Sequence, residues 1–342
     1  MGAPAPGGDP PGRGPPSARP PRARGGRHPP GPHRDRPPGL ARWGDGPVIE
    51  ARGISHTFPG GVVALRGVDL TLRPGEAVAL MGETGAGKST LAQILAGLLR
   101  PSVGQVRWAG RPGPAGPWAP AGEGLRVAYL FQEAEHQLFE PTVWEDVAFG
   151  PRQLGLPGEV VQARVEEALA LVGLDPEAIG GRSPFTLSGG EQRRAALAGL
   201  LATDPHVLIL DEPTTGLDPA GVEGLIRLLH RLHREGMGLV VITHSLEEVA
   251  GWAERLLILH QGRLVVDEPL AQAVQRPEEL ARWGVEPPAT LRLASRLRAR
   301  GLPVPLGVTD PDALARAIAH LLDRGQAAPP GRVGGPPGSD QY

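Results

Sequence analysis

The sequence contains no cysteine. That excludes disulfides, thiolate metal sites and cysteine nucleophiles together, and it suits a reducing compartment. Lysine is almost as scarce: of 35 Lys and Arg residues, 34 are arginine and one is Lys88. Whatever drove lysine out of the chain spared that one position. No run approaches the ~18 consecutive apolar residues of a bilayer-spanning helix, and the N-terminus lacks the apolar core of a signal peptide. The chain is therefore expected in the cytosol unless a partner holds it at a membrane. A formal net charge of −2 gives no global basic field, so duplex nucleic acid is not expected as the main partner.

Glycine and proline are abundant, at 50 and 40 of 342 residues, a level that approaches the composition of disordered chains. They are unevenly spread. Residues 1–47 and 326–342 are Pro/Gly-rich with few large apolar side chains, and both read as disordered tails. The first tail also carries Arg13, Arg19, Arg22, Arg24, Arg27, Arg34, Arg36 and Arg42, a run that reads as solvated. Between the tails, residues 48–268 have the composition of a folded α/β domain, and residues 269–325 turn helical.

Inside the α/β region, residues 62–65 and 68–72 are strand-like runs punctuated by Gly67, and residues 73–76 form a turn. Ala77-Val78-Ala79-Leu80-Met81 is a short continuous apolar run, the mark of a buried parallel strand. A Gly-rich loop follows it, then Leu91, Ile94, Leu95 and Leu98 at helical spacing. Residues 104–124 read as a poorly structured hairpin insertion, and residues 126–131 as another strand. Residues 159–173 have the apolar spacing of an amphipathic helix, and a further helix is expected from Ser188. Residues 207–210 and 239–242 are two more buried strands, separated by a helix over 222–234. Strands alternating with helices predict a doubly wound parallel sheet. Three helices are expected beyond Pro269, over 277–283, 288–300 and 310–322.

Gly82-Glu83-Thr84-Gly85-Ala86-Gly87-Lys88-Ser89-Thr90 fits G-x-x-x-x-G-K-[ST] between a strand and a helix, the setting that motif requires. Its glycines let consecutive backbone N–H groups face one anion, and the helix N-terminus adds partial positive charge. Lys88 is placed to reach β- and γ-phosphates, and the Ser89 hydroxyl to ligate Mg²⁺. A second apolar strand ends in Asp211-Glu212. An Asp-Glu pair by itself is usually a solvated loop, but at the C-terminal edge of an open α/β sheet Asp211 suits Mg²⁺ and Glu212 suits a general base. Leu187-Ser188-Gly189-Gly190 opens another helix, with Ser188 as N-cap and glycines exposing backbone N–H groups. One nucleotide needs one such loop, so a second suggests a site shared between two chains. Gln132 and His244 follow strands, where Gln132 suits the metal and His244 the γ-phosphate.

The order of Gly-rich loop, Gln132, Leu-Ser-Gly-Gly, Leu-Ile-Leu-Asp-Glu, Gly216-Leu217-Asp218 and His244 resembles the ATP-binding-cassette ATPases over about residues 48–267. The resemblance implies a phosphate-loop ATPase fold: a parallel-sheet core, an antiparallel β subdomain and a helical subdomain. It also implies a head-to-tail dimer holding two ATPs, each with Mg²⁺, in which Ser188, Gly189 and Gly190 act in trans. Asp218 would lie on the loop that communicates across the dimer, and Phe58 would stack on adenine. Two positions depart from the commoner pattern, Glu191 in place of Gln and Phe58 in place of Tyr. Neither removes a phosphate contact or a stacking face.

Residues 131–143 and 146–151, with Leu174-Asp175 and Phe185-Thr186-Leu187-Ser188, resemble more narrowly the ATPases of energy-coupling-factor and cobalt importers. This resemblance implies a peripheral subunit on the cytoplasmic face of the membrane that couples MgATP hydrolysis to uptake of a vitamin or transition-metal ion. Its partners would be a second ATPase subunit, identical or paralogous, together with a transmembrane coupling subunit and a substrate-binding membrane subunit. Residues 135–140 are expected to meet the membrane partner through Gln137, Leu138 and Phe139. Residues 269–325 are expected to hold two subunits together through apolar faces built from Leu280, Trp283, Leu291, Leu293, Leu297, Leu314, Ile318 and Leu321. The rival reading is a soluble member of the same ATPase family acting on ribosomes or DNA. It fits a single cassette with room for only a small helical subdomain less well.

Overall fold

A computed structural model describes residues 2, 46, 48–113 and 124–326. The two expected tails lie almost wholly outside the described residues, as do residues 114–123 of the expected insertion. The described chain opens with β1 (Ile49–Thr57) and β2 (Val63–Leu72); β3 (Ala77–Met81) then leads through the Gly-rich loop into α1 (Lys88–Leu95). A hairpin of β4 (Val103–Trp108) and β5 (Arg111–Pro112) precedes β6 (Val127–Leu130). Helices α2 (Val143–Gln153), α3 (Gly158–Leu171), α4 (Pro176–Ile179) and α5 (Gly189–Leu201) follow. The chain returns through β7 (Val207–Asp211), α6 (Pro219–Arg234), β8 (Gly238–Ile242), α7 (Leu246–Val249) and the hairpin β9 (Arg255–His260) and β10 (Arg263–Pro269). It continues in α8 (Leu270–Ala273), α9 (Pro277–Arg282), α10 (Ala289–Ala299) and α11 (Pro311–Gln326).

The strands form two sheets. A six-stranded sheet has the order β10-β9-β3-β8-β7-β6, with every pairing parallel except β10 on β9. Every residue of β3, β7 and β8 is buried, as continuous apolar runs covered on both faces require. Alternate side chains of β3 enter different cores. Ala77, Ala79 and Met81 face the helices α2, α3 and α5, while Val78 and Leu80 pack with α1 and the second sheet. That second sheet is antiparallel, in the order β2-β1-β4-β5. The C-terminal ends of β3, β6, β7 and β8 thus share one edge, where an open α/β sheet presents its ligand crevice.

Several elements differ from the sequence reading, each for a physical reason. Gly67 does not interrupt the chain: β2 runs through it as one strand, and the register shifts where β1 and β2 pair. β1 has no clean alternation to read because its pairing slips between Ala51 and Ile54 and again beyond. The segment expected to be a poorly structured hairpin does pair, Trp108 opposite Arg111, around Ala109 and Gly110, both at positive φ. In α2, Pro151 masks a helix that Thr142 starts by accepting a hydrogen bond from Glu145 N.

The C-terminal side chains expected to form free apolar faces are largely spent within the chain. Leu280 and Leu291 enter the main core at 2% and 0% exposure. Leu314 packs with Ala294 and Val304, and Leu297, Ile318 and Leu321 lie against them. Leu293 remains exposed. The short helices bury their apolar residues against the cassette and each other because each leucine so covered gains roughly 1.5–3 kcal/mol.

Candidate functional site

The Gly-rich loop is shaped by what its glycines avoid. Gly87 caps α1 at φ 100°, and a Cβ there would lie 2.5 Å from the Ala64 carbonyl oxygen, so only glycine lets the loop turn under β2 into the helix. Glu83, Thr84 and Gly85 are exposed on the rim of the loop, while Ala86 packs inward and Ser89 and Thr90 are half-buried. Lys88 is buried, and its Nζ donates to the carbonyl oxygens of Gly82 and Glu83, both at 2.9 Å. Burial lowers its pKa, and the carboxylates of Glu212 and Asp211 pull in the opposite direction. The lysine's positive charge is thus supported by Asp211 at the end of β7 and by Glu212 just beyond it.

Asp211 is the last residue of β7 and is buried; its Oδ2 accepts a 2.8 Å hydrogen bond from the Tyr129 hydroxyl. Burial and the neighbouring Asp211 charge push the Tyr129 hydroxyl well above its usual range, which keeps it a donor. Glu212 leaves the strand at φ 45°, a conformation uncommon outside glycine, and its N–H is fixed to the Ile242 carbonyl at 3.0 Å. The turn aims its carboxylate between two partners. Gln132 Nε2 donates to Oε2 at 3.0 Å, and His244 Nε2 lies 3.0 Å from Oε1. Gln132, Glu212 and His244, drawn from three separate strand ends, are therefore one hydrogen-bonded group.

Ser188 caps α5 as the sequence predicts. Its hydroxyl accepts from Glu191 N and donates to Glu191 Oε2 at 2.8 Å, while Ser188 N donates to the same carboxylate at 2.9 Å, a full capping box. Those two donors hold the Glu191 carboxyl below its usual range. The hydrogen bonds of this turn stay within α5, so Ser188, Gly189 and Gly190 are not joined to the Lys88 and Glu212 group among the described residues. Asp218 caps α6, accepting from Gly221 N at 2.7 Å. A cavity of about 760 Å³ lies between α5 and α6, bordered by Gly190, Arg194 and Asp218 and away from Lys88. Phe58 follows β1 half-exposed, with its ring edge-on to His56 at 4.6 Å.

Two residues of this neighbourhood escape sequence reasoning. Tyr129 looks like any apolar strand residue. Arg193, on α5, donates to the carbonyls of Gln132 at 3.0 Å and of Pro213 at 3.1 Å, and also bonds Thr215. It ties the Ser188 helix to the segments after β6 and β7. The segment after Gln132 is likewise fixed from α2: Asp146 Oδ2 accepts from Phe139 N at 2.8 Å and Glu140 N at 2.9 Å. Leu138 is buried there and Phe139 is 57% exposed. Leu138 thus belongs to the packing of the helical subdomain and not to a partner contact as expected.

The sequence matches the ABC transporter family over residues 65–215. It is 44% identical over 279 residues to the energy-coupling factor transporter ATP-binding protein EcfA2 of Symbiobacterium thermophilum, a match covering 80% of this chain and 96% of that one. It is 40% identical over 275 residues to EcfA of Methanothermobacter thermautotrophicus, covering 80% and 88%. Among solved structures, CbiO1 of Clostridium perfringens, part of the ABC transporter complex CbiONQ, superposes with a TM-score of 0.59 at 30% identity, covering 75% of this chain and 98% of that one. A dimeric ATP-binding cassette in a post-hydrolysis state with ADP and phosphate gives 0.58 at 28% identity, covering 65% and 98%. With this fold, this order of loops and relatives matched over nearly their whole length, the chain belongs to the ATP-binding subunits of energy-coupling-factor transporters, within the ABC transporter family.

Proposed function

We propose that Lys88, Ser89, Gln132, Asp211, Glu212 and His244 form the ATP-hydrolysing half-site of this transporter ATPase. The observation that carries the reading is the Glu212 carboxylate, bracketed by Gln132 and His244 at the sheet edge that also holds Lys88. Lys88 binds two backbone carbonyls of its own loop, which phosphate oxygens of ATP would replace with stronger, charge-assisted bonds. Residues 82–90 would surround the phosphates, and Phe58 would stack on adenine.

The donor set suits Mg²⁺. Among the described residues no three His, Cys, Asp or Glu side chains form a metal cluster, and Mg²⁺ characteristically binds through only one or two carboxylates, with phosphate, water and other oxygens completing its shell. Ser89, Asp211 and Gln132 would supply those oxygens. When bound, the ion neutralises charge on the transferred phosphoryl group. Glu212 would take a proton from the attacking water, with Gln132 and His244 fixing the carboxylate, and His244 would contact the γ-phosphate.

Ser188, Gly189 and Gly190 would present their helix end to the nucleotide of a second ATPase subunit, a copy of this chain or a paralogue, with Asp218 beside them. MgATP binding would close the dimer, and hydrolysis with phosphate release would reopen it. No helix among the described residues is long and apolar enough to cross a membrane, so attachment to the cytoplasmic face would come through a transmembrane coupling subunit docked at Phe139, with a substrate-binding membrane subunit taking up a vitamin or transition-metal ion. Residues 269–325 would contribute to dimerisation through what they leave exposed, Leu293 included. The relatives reported above are transporter subunits, which leaves the ribosome- or DNA-acting alternative without support. The test is Lys88→Ala. The variant should lose 10- to 100-fold or more in MgATP affinity, the value of about one or two lost charge-assisted bonds. Unchanged affinity in an equilibrium titration would remove the loop from the site.

A further inference from the structure

Tyr129 sits on β6, three residues before Gln132, and is 5% exposed. Its strand pairs with β7 in parallel register, Tyr129 beside Ile209 and Leu130 beside Leu210. The phenol thereby reaches the end of the neighbouring strand, where its hydroxyl donates to Asp211 Oδ2 at 2.8 Å. The Gln93 side chain of α1 acts on the same phenol, lowering the pKa that burial and Asp211 raise. From the other side the ring is locked by Phe131, edge-on at 4.7 Å, and Gln137 clamps the strand end, with Nε2 on the Tyr129 carbonyl at 3.3 Å and Oε1 on Phe131 N at 3.1 Å.

We infer that Tyr129 is a positioning residue for the divalent cation: its hydroxyl fixes the Asp211 carboxylate in the rotamer that ligates the metal. This rests on the reading of Asp211 as a metal-holding residue and adds what orients it. A carboxylate held at one oxygen has the direction of the other set, and without a donor at Oδ2 the buried group is free to turn about its side-chain bonds. Partners one step behind a metal ligand characteristically change metal affinity 10- to 100-fold when removed. The Tyr129–Asp211 bond also joins the strand that leads to Gln132 and the strand that ends in Asp211. A shift of either strand would thus be felt at the Asp211 carboxylate. An ordinary apolar residue at 129 would fill the same space and supply no donor.

The experiment is a Mn²⁺ titration followed by electron paramagnetic resonance, on the full chain with a non-hydrolysable ATP analogue. Tyr129→Phe keeps the ring and removes only the hydroxyl. It should weaken Mn²⁺ binding by about tenfold or more and raise the Mg²⁺ concentration needed for half-maximal turnover to match, while kcat at saturating Mg²⁺ and analogue binding in EDTA stay near wild type. Gln93→Ala should weaken Mn²⁺ in the same direction by less. Unchanged Mn²⁺ affinity in Tyr129→Phe, or a fall in kcat that excess Mg²⁺ does not restore, overturns the inference and leaves Tyr129 a packing residue. Should Tyr129→Phe fail to fold, unchanged Mn²⁺ affinity in Gln93→Ala overturns it instead. Asp211→Asn separates this inference from the reading beneath it. If that variant binds Mn²⁺ as wild type does, the assignment of Asp211 fails, whatever Tyr129 does.

Discussion

At the scale of single residues, electrostatics and hydrogen-bond accounting do most to define the site. Lys88 is a buried ammonium whose pKa burial lowers and two carboxylates support, so its charge depends on its surroundings. Glu212 has both carboxylate oxygens committed, one to Gln132 and one to His244. Replacing His244 by Ala frees one of them, and turnover should fall roughly 100-fold with ATP affinity reduced far less. Steady-state kinetics beside an equilibrium titration measures both, and a loss confined to affinity would contradict the role. Most of this group is legible in the sequence. Lys88, Ser89, Asp211 and Glu212 sit at strand–loop–helix and strand-end positions whose chemistry a local pattern reveals. The positive φ of Glu212, the Tyr129 hydroxyl and the reach of Arg193 were not legible. Each depends on a neighbour distant in sequence, up to 82 positions for Tyr129 and Asp211.

At the scale of elements, the buried strands could be read because an apolar run covered on both faces has no competing interpretation, and β3 falls on the expected residues. β1 and α2 could not, since a register slip hides one and Pro151 the other. The C-terminal helices were located from their periodicity, but periodicity reveals an apolar face without saying what covers it. Here the cassette covers much of it, and the backbone of Gly284 lies so close to Glu83 that a Cβ would sit 2.4 Å from Glu83 Cγ. Leu291→Ala should therefore destabilise the protein by about 2–5 kcal/mol, whereas Leu293→Ala, at an exposed position on the same helix, should leave the melting temperature within a degree or two. Equal shifts in thermal unfolding would contradict the packing. A similar contrast separates Leu138 from Phe139. Leu138→Ala should lower stability, and Phe139→Ala should reduce co-purification with the membrane subunit while the ATP turnover of the isolated subunit survives.

At the scale of the whole molecule, the ends of α1 and α5 differ in what they are joined to. The α1 end holds Lys88 beside the Gln132–Glu212–His244 group, while the α5 end closes its hydrogen bonds on its own capping box, and Arg193 of α5 donates to the Gln132 backbone carbonyl. In the function proposed above, one chain carries half of each of two sites, so ATP should join two chains. The measurement that tests this most directly is sedimentation of the Glu212→Gln variant with and without MgATP. The substitution keeps the shape of the carboxylate but removes its basicity, so turnover should drop roughly 100-fold or more while ATP stays bound. MgATP should drive this variant into a persistent dimer containing two nucleotides. A variant whose assembly state does not respond to MgATP, and whose turnover stays near wild type, would contradict both the base and the shared site.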